Sequence, residues 1–338
     1  MKRVPAGWAL LDDVEVMDLP DPDFIVAGVL PRKGLGVLYG PSGACKTTLA
    51  AGLMVSIATG RRWFGRDVRH VGASIYVSTE DVAGFKVRLR AAKAAAGLSL
   101  VDTIGIYTFP EAIDLCDAAD IARFIAFVEQ TDVTPELVVV DTYAGATPGA
   151  AENSSEDTTR AMAAAHQIRV ALKSGVLLIH HTNAAGTRER GHSSMRGAAD
   201  VMLSVTPVDD VIHVDCSKQR NAPNFDSLRL KLTAVDGGGC VLRLADDVLQ
   251  TDALTPQQSK ALTVLHDTFG DNGASKTEWL ASVRDIPERT FHRIARVLVE
   301  GGHVTKNRGR FVAASTANQS MAPAPLPFVV GSRVAANG

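Results

Sequence analysis

Short apolar runs alternate with longer stretches of helical period from Gly34 onward. The runs are Leu35 to Tyr39, Ala73 to Ser78, Thr103 to Tyr107, Leu137 to Val140 and Val176 to Ile179. Between them the spacing predicts helices at about 46–59, 83–97, 117–130 and 156–174. Strand alternating with helix predicts an α/β fold, a mostly parallel sheet covered by helices on both faces. After residue 200 the pattern turns strand-rich: 201–205, 211–216, 228–232 and 240–244, with the DGGG run 236–239 as a hairpin turn. These strands read as antiparallel additions to the core. Residues 1–33 hold an acidic opening and three prolines, and read as an ordered lead-in. The core then spans 34–250, and a polar connection at 251–258, with Pro256, separates a second unit at 259–314. That unit reads as three helices and a short hairpin. In its last helix Phe291, Ile294, Ala295, Val297 and Leu298 supply the core positions. Residues 315–338 are Ala/Pro-rich and read as a flexible tail.

A length of 338 residues suggests about two domains. No apolar run approaches the ~20 residues of a membrane span, and the N-terminus does not read as a signal peptide. The four cysteines are scattered without metal-ligand spacing. Membrane, secreted and fibrous classes are excluded, and a reducing cytoplasmic setting is expected. The net charge of −2 advertises no nucleic-acid partner. It conceals a local patch, however: residues 284–310 carry seven Lys/Arg against three Asp/Glu, a charge of +4.

The strongest chemical signal is Gly40-Pro41-Ser42-Gly43-Ala44-Cys45-Lys46-Thr47-Thr48, placed between an apolar strand and a helix. That context is the one a P-loop requires. Successive backbone N–H groups and a helix N-terminus cradle phosphates. Lys46 is placed to reach the β- and γ-phosphates, and the Thr47 hydroxyl to ligate Mg²⁺. Cys45 stands where the motif has its second glycine, a position whose backbone is costly for a residue bearing Cβ. Either the loop tolerates the cysteine or turnover suffers. A thiol at a helix N-terminus is also expected to be acidified and reactive.

Asp141 ends the apolar run ELVVVD and suits the Mg²⁺ shell, the Walker B pattern; the plainer reading is a turn acid. Glu80 and Asp81 end ASIYVSTED. We read Glu80 as the base that activates the attacking water and Asp81 as the cap of the next helix, against a solvated acidic pair. His180 and His181 end VLLIHH and point to opposite sides of a strand. At most one faces the γ-phosphate, and His181 is the candidate.

Together these residues resemble the RecA-like ATPases of the hexameric helicase branch, the plasmid RepA-type and DnaB-type helicases. The resemblance covers residues 24–244, through YVSTED (76–81), VVVDTYAG (138–145), LLIHHTNAAGT (177–187) and HSSMRGAADVML (192–203). SKQRNAPN (217–224) resembles the KQRN-G-P segment of DnaB-type proteins. The resemblance implies a RecA-like core hydrolysing ATP with Mg²⁺ between the subunits of a homo-hexameric ring. It also implies γ-phosphate sensing by His181, and Lys218 and Arg220 inserted into the neighbour's ATP site. The chain departs from the family in Cys45, in lacking a large DnaB-type N-terminal domain, and in its additional C-terminal unit.

The Gly/Ser/Arg-rich stretch 184–197 reads as a loop lining a ring channel, with Arg188, Arg190 and Arg196 on single-stranded DNA phosphates, or as an ordinary surface loop. The C-terminal unit resembles a winged helix. Arg289, His292, Arg293 and Arg296 fall on its helix, and Lys306, Arg308 and Arg310 on its wing, facing duplex DNA or a protein. The leading function is a DNA-stimulated ATPase and ring-forming helicase. The alternatives are a recombination- or repair-type ATPase and a slow, non-translocating nucleotide switch that binds DNA.

Overall fold

The computed structural model describes residues 10–79, 81–151, 154–182, 193–235, 238–245, 256–283, 286–300, 303–307 and 309–313. The chain divides into two compact units, Met1–Asp246 and Asp247–Gly338. The division falls just before the linker expected at 251–258.

The first unit opens with helix α1 (Asp13–Met17), closed by a capping box of Asp12 and Glu15 and burying none of its residues. Strands β1 (Phe24–Val26) and β2 (Leu30–Pro31) form a hairpin. The core expected from Gly34 onward begins earlier, because this hairpin belongs to it. Ile25, Val26, Val29 and Leu30 are buried in the main apolar cluster. The hairpin is fastened by Arg32 to Glu136 at 3.1 Å and by the Arg69 N–H to the Ile25 carbonyl at 2.8 Å.

There follow β3 (Leu35–Gly40), α2 (Lys46–Thr59), β4 (Ala73–Ser78), α3 (Val82–Ala95), β5 (Ile106–Phe109), α4 (Ala118–Glu129), β6 (Pro135–Asp141), α5 (Ser155–Leu172) and β7 (Gly175–His181). The unit continues with α6 (Ser193–Ala198), β8 (Val201–Val208), β9 (Val211–Gln219), β10 (Leu228–Ala234) and β11 (Cys240–Leu244). One sheet runs β11-β10-β9-β8-β3-β7-β6-β4-β5. The strands from β8 to β5 pair in parallel, and β9, β10 and β11 extend the sheet antiparallel. The result is the α/β core with a mostly parallel sheet that the alternation predicts.

The central strands are apolar on both faces because helices cover both. Val37 and Val138 face one apolar cluster, Leu38 and Val139 the other. Sequence-capped helices begin where expected: Asp81 accepts from the Gly84 N–H, Asp117 from that of Ala119 and Ser154 from that of Asp157. Strand β5 starts three residues later than the expected 103–107. Gly105, at φ +79°, turns the chain out of the extended region just before it.

The second unit holds α7 (Pro256–Phe269), α8 (Lys276–Ser282), α9 (Glu288–Glu300) and the hairpin β12 (Val304–Asn307)–β13 (Arg310–Ala313). Helix α7 begins inside the expected linker, because Pro256 suits a first helical position that needs no N–H. Trp279 is fully buried, meets Phe291 edge-on at 5.0 Å and donates its indole N–H to the Ala261 carbonyl at 2.8 Å. Phe291, Ile294, Ala295 and Leu298 face this core, but Val297 is 37% exposed. At 100° per residue Val297 falls well off the stripe the other four share.

Candidate functional site

Strand β3 delivers its chain directly into the phosphate loop. Gly40 is required there for a reason the motif does not show: a Cβ would lie 2.2 Å from the Val205 carbonyl oxygen of neighbouring β8. Beyond Pro41, Ser42 and Gly43 are exposed and Ala44 is buried. Cys45 sits at the N-cap of α2 with φ +65° and ψ +22°. The loop therefore keeps a left-handed backbone at this position despite the side chain. The expectation of an acidified thiol is corrected: burial pushes the Cys45 thiol up, against the weaker pull of Arg88 and Lys46.

The left-handed conformation costs a side-chain-bearing residue about 1–2 kcal/mol, and the freedom that glycine adds to the unfolded chain offsets about half of this. Cys45→Gly is thus expected to shift stability by no more than about 1 kcal/mol. Because the loop shape is already that of glycine, ATP turnover should change by less than about fivefold. A steady-state ATPase assay with a thermal melt checks both, and a large gain in rate would mean that the side chain obstructs the site.

Lys46 is buried to 5% exposure. Its ammonium donates to the carbonyls of Gly40 at 2.9 Å and Pro41 at 2.8 Å, and lies 3.3 Å from His181 Nδ1. The next residue, Thr47, donates its hydroxyl to Asp141 Oδ2 at 2.7 Å. Tyr76 donates to the same oxygen at 2.8 Å. Thr48 is half-buried one position further along α2. The structure thus gathers Lys46, Thr47, Asp141 and His181 at the carboxyl ends of β3, β6 and β7. His180 points the other way, buried edge-on against Tyr143.

Glu80 lies outside the described residues. Its sequence neighbours are tightly held. The Thr79 hydroxyl accepts from the Thr142 N–H at 2.8 Å, the Thr79 N–H donates to the Asp141 carbonyl at 2.9 Å, and Asp81 caps α3. Thr47 and Asp141 offer a hydroxyl and a carboxylate, the hard oxygen donors Mg²⁺ prefers. The donor set fits that ion.

Lys218 and Arg220 are not near this loop. Gly36 pairs with Val201 and Val201 with Gln219, so the two cations sit at the end of the sheet where β3 begins. The phosphate loop leaves four residues further on, about 13 Å away at strand rise. Arg220 donates to Asp200 Oδ1 at 2.8 Å and to the Gly197 carbonyl at 2.9 Å. Asp200, missed in the sequence, organises this end: it also accepts from the Leu35 N–H and from Arg169. The Lys218 ammonium donates to the Arg196 and Gly197 carbonyls. Burial, then the adjacent Arg220 guanidinium, hold it below the usual lysine range.

Arg188, Arg190 and Arg308 lie outside the described residues. Arg196 is exposed, but on α6 rather than in the loop expected over 184–197, and its guanidinium bonds the Ser217 carbonyl at 2.6 Å. In the second unit Arg289, Arg293 and Arg296 are exposed along α9, and Lys306 is exposed on β12. Arg310 is instead tied to the carbonyls of Asn272 and Gly273 and to Glu278. Among the described residues no helix is long and apolar enough to cross a membrane.

No curated protein matches the chain. Among solved structures it is similar to the RadB recombinase, with 21% identity and a TM-score of 0.44 over 60% of this chain and 88% of that one. It is also similar to the ATPase domain of G40P, with 11% identity and a TM-score of 0.44 over 62% of this chain and 85% of that one. The family described as the AAA domain matches residues 4–187, more than half of the 338-residue chain. The loop, carboxylate and strand ends described above all fall inside that stretch except for the Lys218–Arg220 end, and the chain belongs to this family of RecA-like P-loop ATPases, which bind ATP, usually with Mg²⁺, and hydrolyse it.

Proposed function

We propose that the protein is a DNA-stimulated ATPase that assembles into a ring, most simply a hexamer, and translocates on single-stranded DNA as a helicase. The observation that carries this reading is that two sets of candidate site residues stand at opposite ends of the sheet. Lys46, Thr47, Asp141 and His181 stand at one end of the sheet, and Lys218 and Arg220 at the other. A cationic pair that cannot reach its own phosphate loop is suited to a neighbour's.

In this reading the loop N–H groups of 40–48 and Lys46 hold the phosphates, and Glu80 takes a proton from the attacking water as its oxygen bonds to the γ-phosphorus. Mg²⁺, held by Thr47 and through the Asp141 shell, supplies charge neutralisation on the phosphate oxygens. Arg220 and Lys218 of the adjacent subunit stabilise the charge that develops on the transferred phosphoryl. His181, beside Lys46, reports the γ-phosphate to the chain that follows it. Arg188, Arg190 and Arg196 contact single-stranded DNA. We read the second unit as a winged helix, with Arg289, Arg293, Lys306 and Arg308 as its contacts to duplex DNA or a protein.

Electron microscopy of the full chain with a non-hydrolysable ATP analogue and single-stranded DNA tests the assembly. Closed rings enclosing DNA, together with ATP-dependent displacement of a strand from a tailed duplex, are expected. Strand exchange without displacement moves the protein to the recombination class. Footprinting of one duplex site without unwinding makes it a switch, and persistent monomers with full turnover overturn the trans-acting role of Arg220.

A further inference from the structure

The Tyr76 hydroxyl makes a contact at the Asp141 carboxylate that the nucleotide motifs leave unused. Tyr76 lies on β4, 65 residues from Asp141 in sequence, and is 3% exposed. Its phenol donates at 2.8 Å to Asp141 Oδ2, the oxygen that also accepts from Thr47 at 2.7 Å. Its ring lies flat on Phe85 of α3, with centroids 3.6 Å apart and planes 5° from parallel. Phe85 is itself buried. The hydroxyl is thus held by a stack whose other half belongs to the helix that starts immediately after Glu80 and Asp81.

We propose that Tyr76 is a positioning residue: through its hydroxyl it fixes the Asp141 carboxylate for the Mg²⁺-bound nucleotide. The inference rests on the ATPase reading of the site. A buried strand position that needed only volume and stacking would be filled equally well by phenylalanine. What tyrosine adds is one donor, and that donor is spent on a charged acceptor, where a hydrogen bond is about twice as strong as between neutral groups. Carboxylates that serve a metal depend on such outer partners to set their plane. With one lone pair engaged by Tyr76 and another by Thr47, Oδ2 has little freedom to rotate. Thr47, donating its proton to Asp141, turns its own lone pairs outward, where a cation accepts them. Tyr76 therefore acts on the metal at one remove, and it links the carboxylate to the start of α3.

The test is Tyr76→Phe in the full chain, which keeps the stack and removes only the hydroxyl. Binding of a fluorescent ADP analogue is followed while Mg²⁺ is titrated, and again in EDTA. The Mg²⁺ concentration at half-maximal binding is expected to rise roughly tenfold, while affinity without metal stays within about twofold of wild type. Phe85→Leu, which loosens the ring without touching the hydroxyl, should shift the Mg²⁺ midpoint in the same direction by less. A midpoint unchanged in Tyr76→Phe, with wild type plainly Mg²⁺-dependent, overturns this inference alone. A wild type that binds nucleotide without regard to Mg²⁺ overturns the metal-holding role of Thr47 and Asp141 along with it.

Discussion

Lys46→Ala is expected to lower ATP turnover by at least about 100-fold, the loss typical of deleting one preorganised donor to a developing anion. The geometry explains why so much rests on one ammonium. It donates to two neutral carbonyls, those of Gly40 and Pro41, and lies beside the His181 imidazole. Phosphate oxygens offer formal charge instead, and charge-assisted bonds are stronger than those they replace. Lys46→Arg should fail almost as badly. A planar guanidinium does not reproduce the compact ammonium held between the Gly40 and Pro41 carbonyls, so conserving the charge does not conserve the function. Neither change should unfold the protein, since Gly40 and Pro41 lie outside the apolar clusters of the unit. Melting temperatures near that of wild type, measured beside steady-state turnover, make the comparison clean. Turnover of Lys46→Ala within about tenfold of wild type would sink the assignment of this loop as the catalytic one.

The strand-loop-helix of the nucleotide site was legible because each of its parts is a local pattern. A buried parallel strand is a short apolar run, a helix start is a capping residue, and a phosphate loop is a fixed spacing of glycine, lysine and threonine. Asp141 and His181 followed from the same logic, as polar residues closing apolar runs. What escaped was built from distance in sequence. Asp200 matters because it meets Leu35, Arg169 and Arg220, and Tyr76 because it meets Asp141; neither carries a local signal beyond its residue type. The β1–β2 hairpin escaped for a different reason. Its strands have three and two residues, too few to show a period, and they sit in a proline-bearing stretch that reads as a lead-in. Helix α6 was hidden by the Ser/Gly composition of 191–198, which favours loops in isolation and is overridden here where Met195 and Ala199 pack into the core. Cys45 was read correctly in its backbone demand and wrongly in its chemistry. The motif fixes the left-handed turn, whereas the thiol's acidity depends on burial, which no motif states.

Arg220→Ala is expected to reduce DNA-stimulated turnover by about 1,000-fold or more, the range for an arginine that completes a phosphoryl-transfer site from another chain. A local structural role would give a different result, and the surroundings of Arg220 separate the two. Its partner Asp200 keeps Arg169 and the Leu35 N–H after the substitution, so no buried carboxylate is left unpaired. The Arg220 side chain is 49% exposed, and losing its ion pair should cost stability only about 1 kcal/mol. Loss of rate without loss of fold is therefore the expected pattern, read by turnover and thermal melting on the same samples. Mixing provides the sharper measurement. Arg220→Ala retains a complete phosphate loop, and Lys46→Ala retains the cationic pair at the opposite end of the sheet. If the pair acts across a head-to-tail interface, combining the two inactive proteins in equal amounts forms some interfaces with both halves intact, about one quarter of the total. Turnover should then reappear from two preparations that have none separately. If Arg220 served its own subunit, no mixture of these variants would contain a complete site, and the mixture would stay inactive at every ratio.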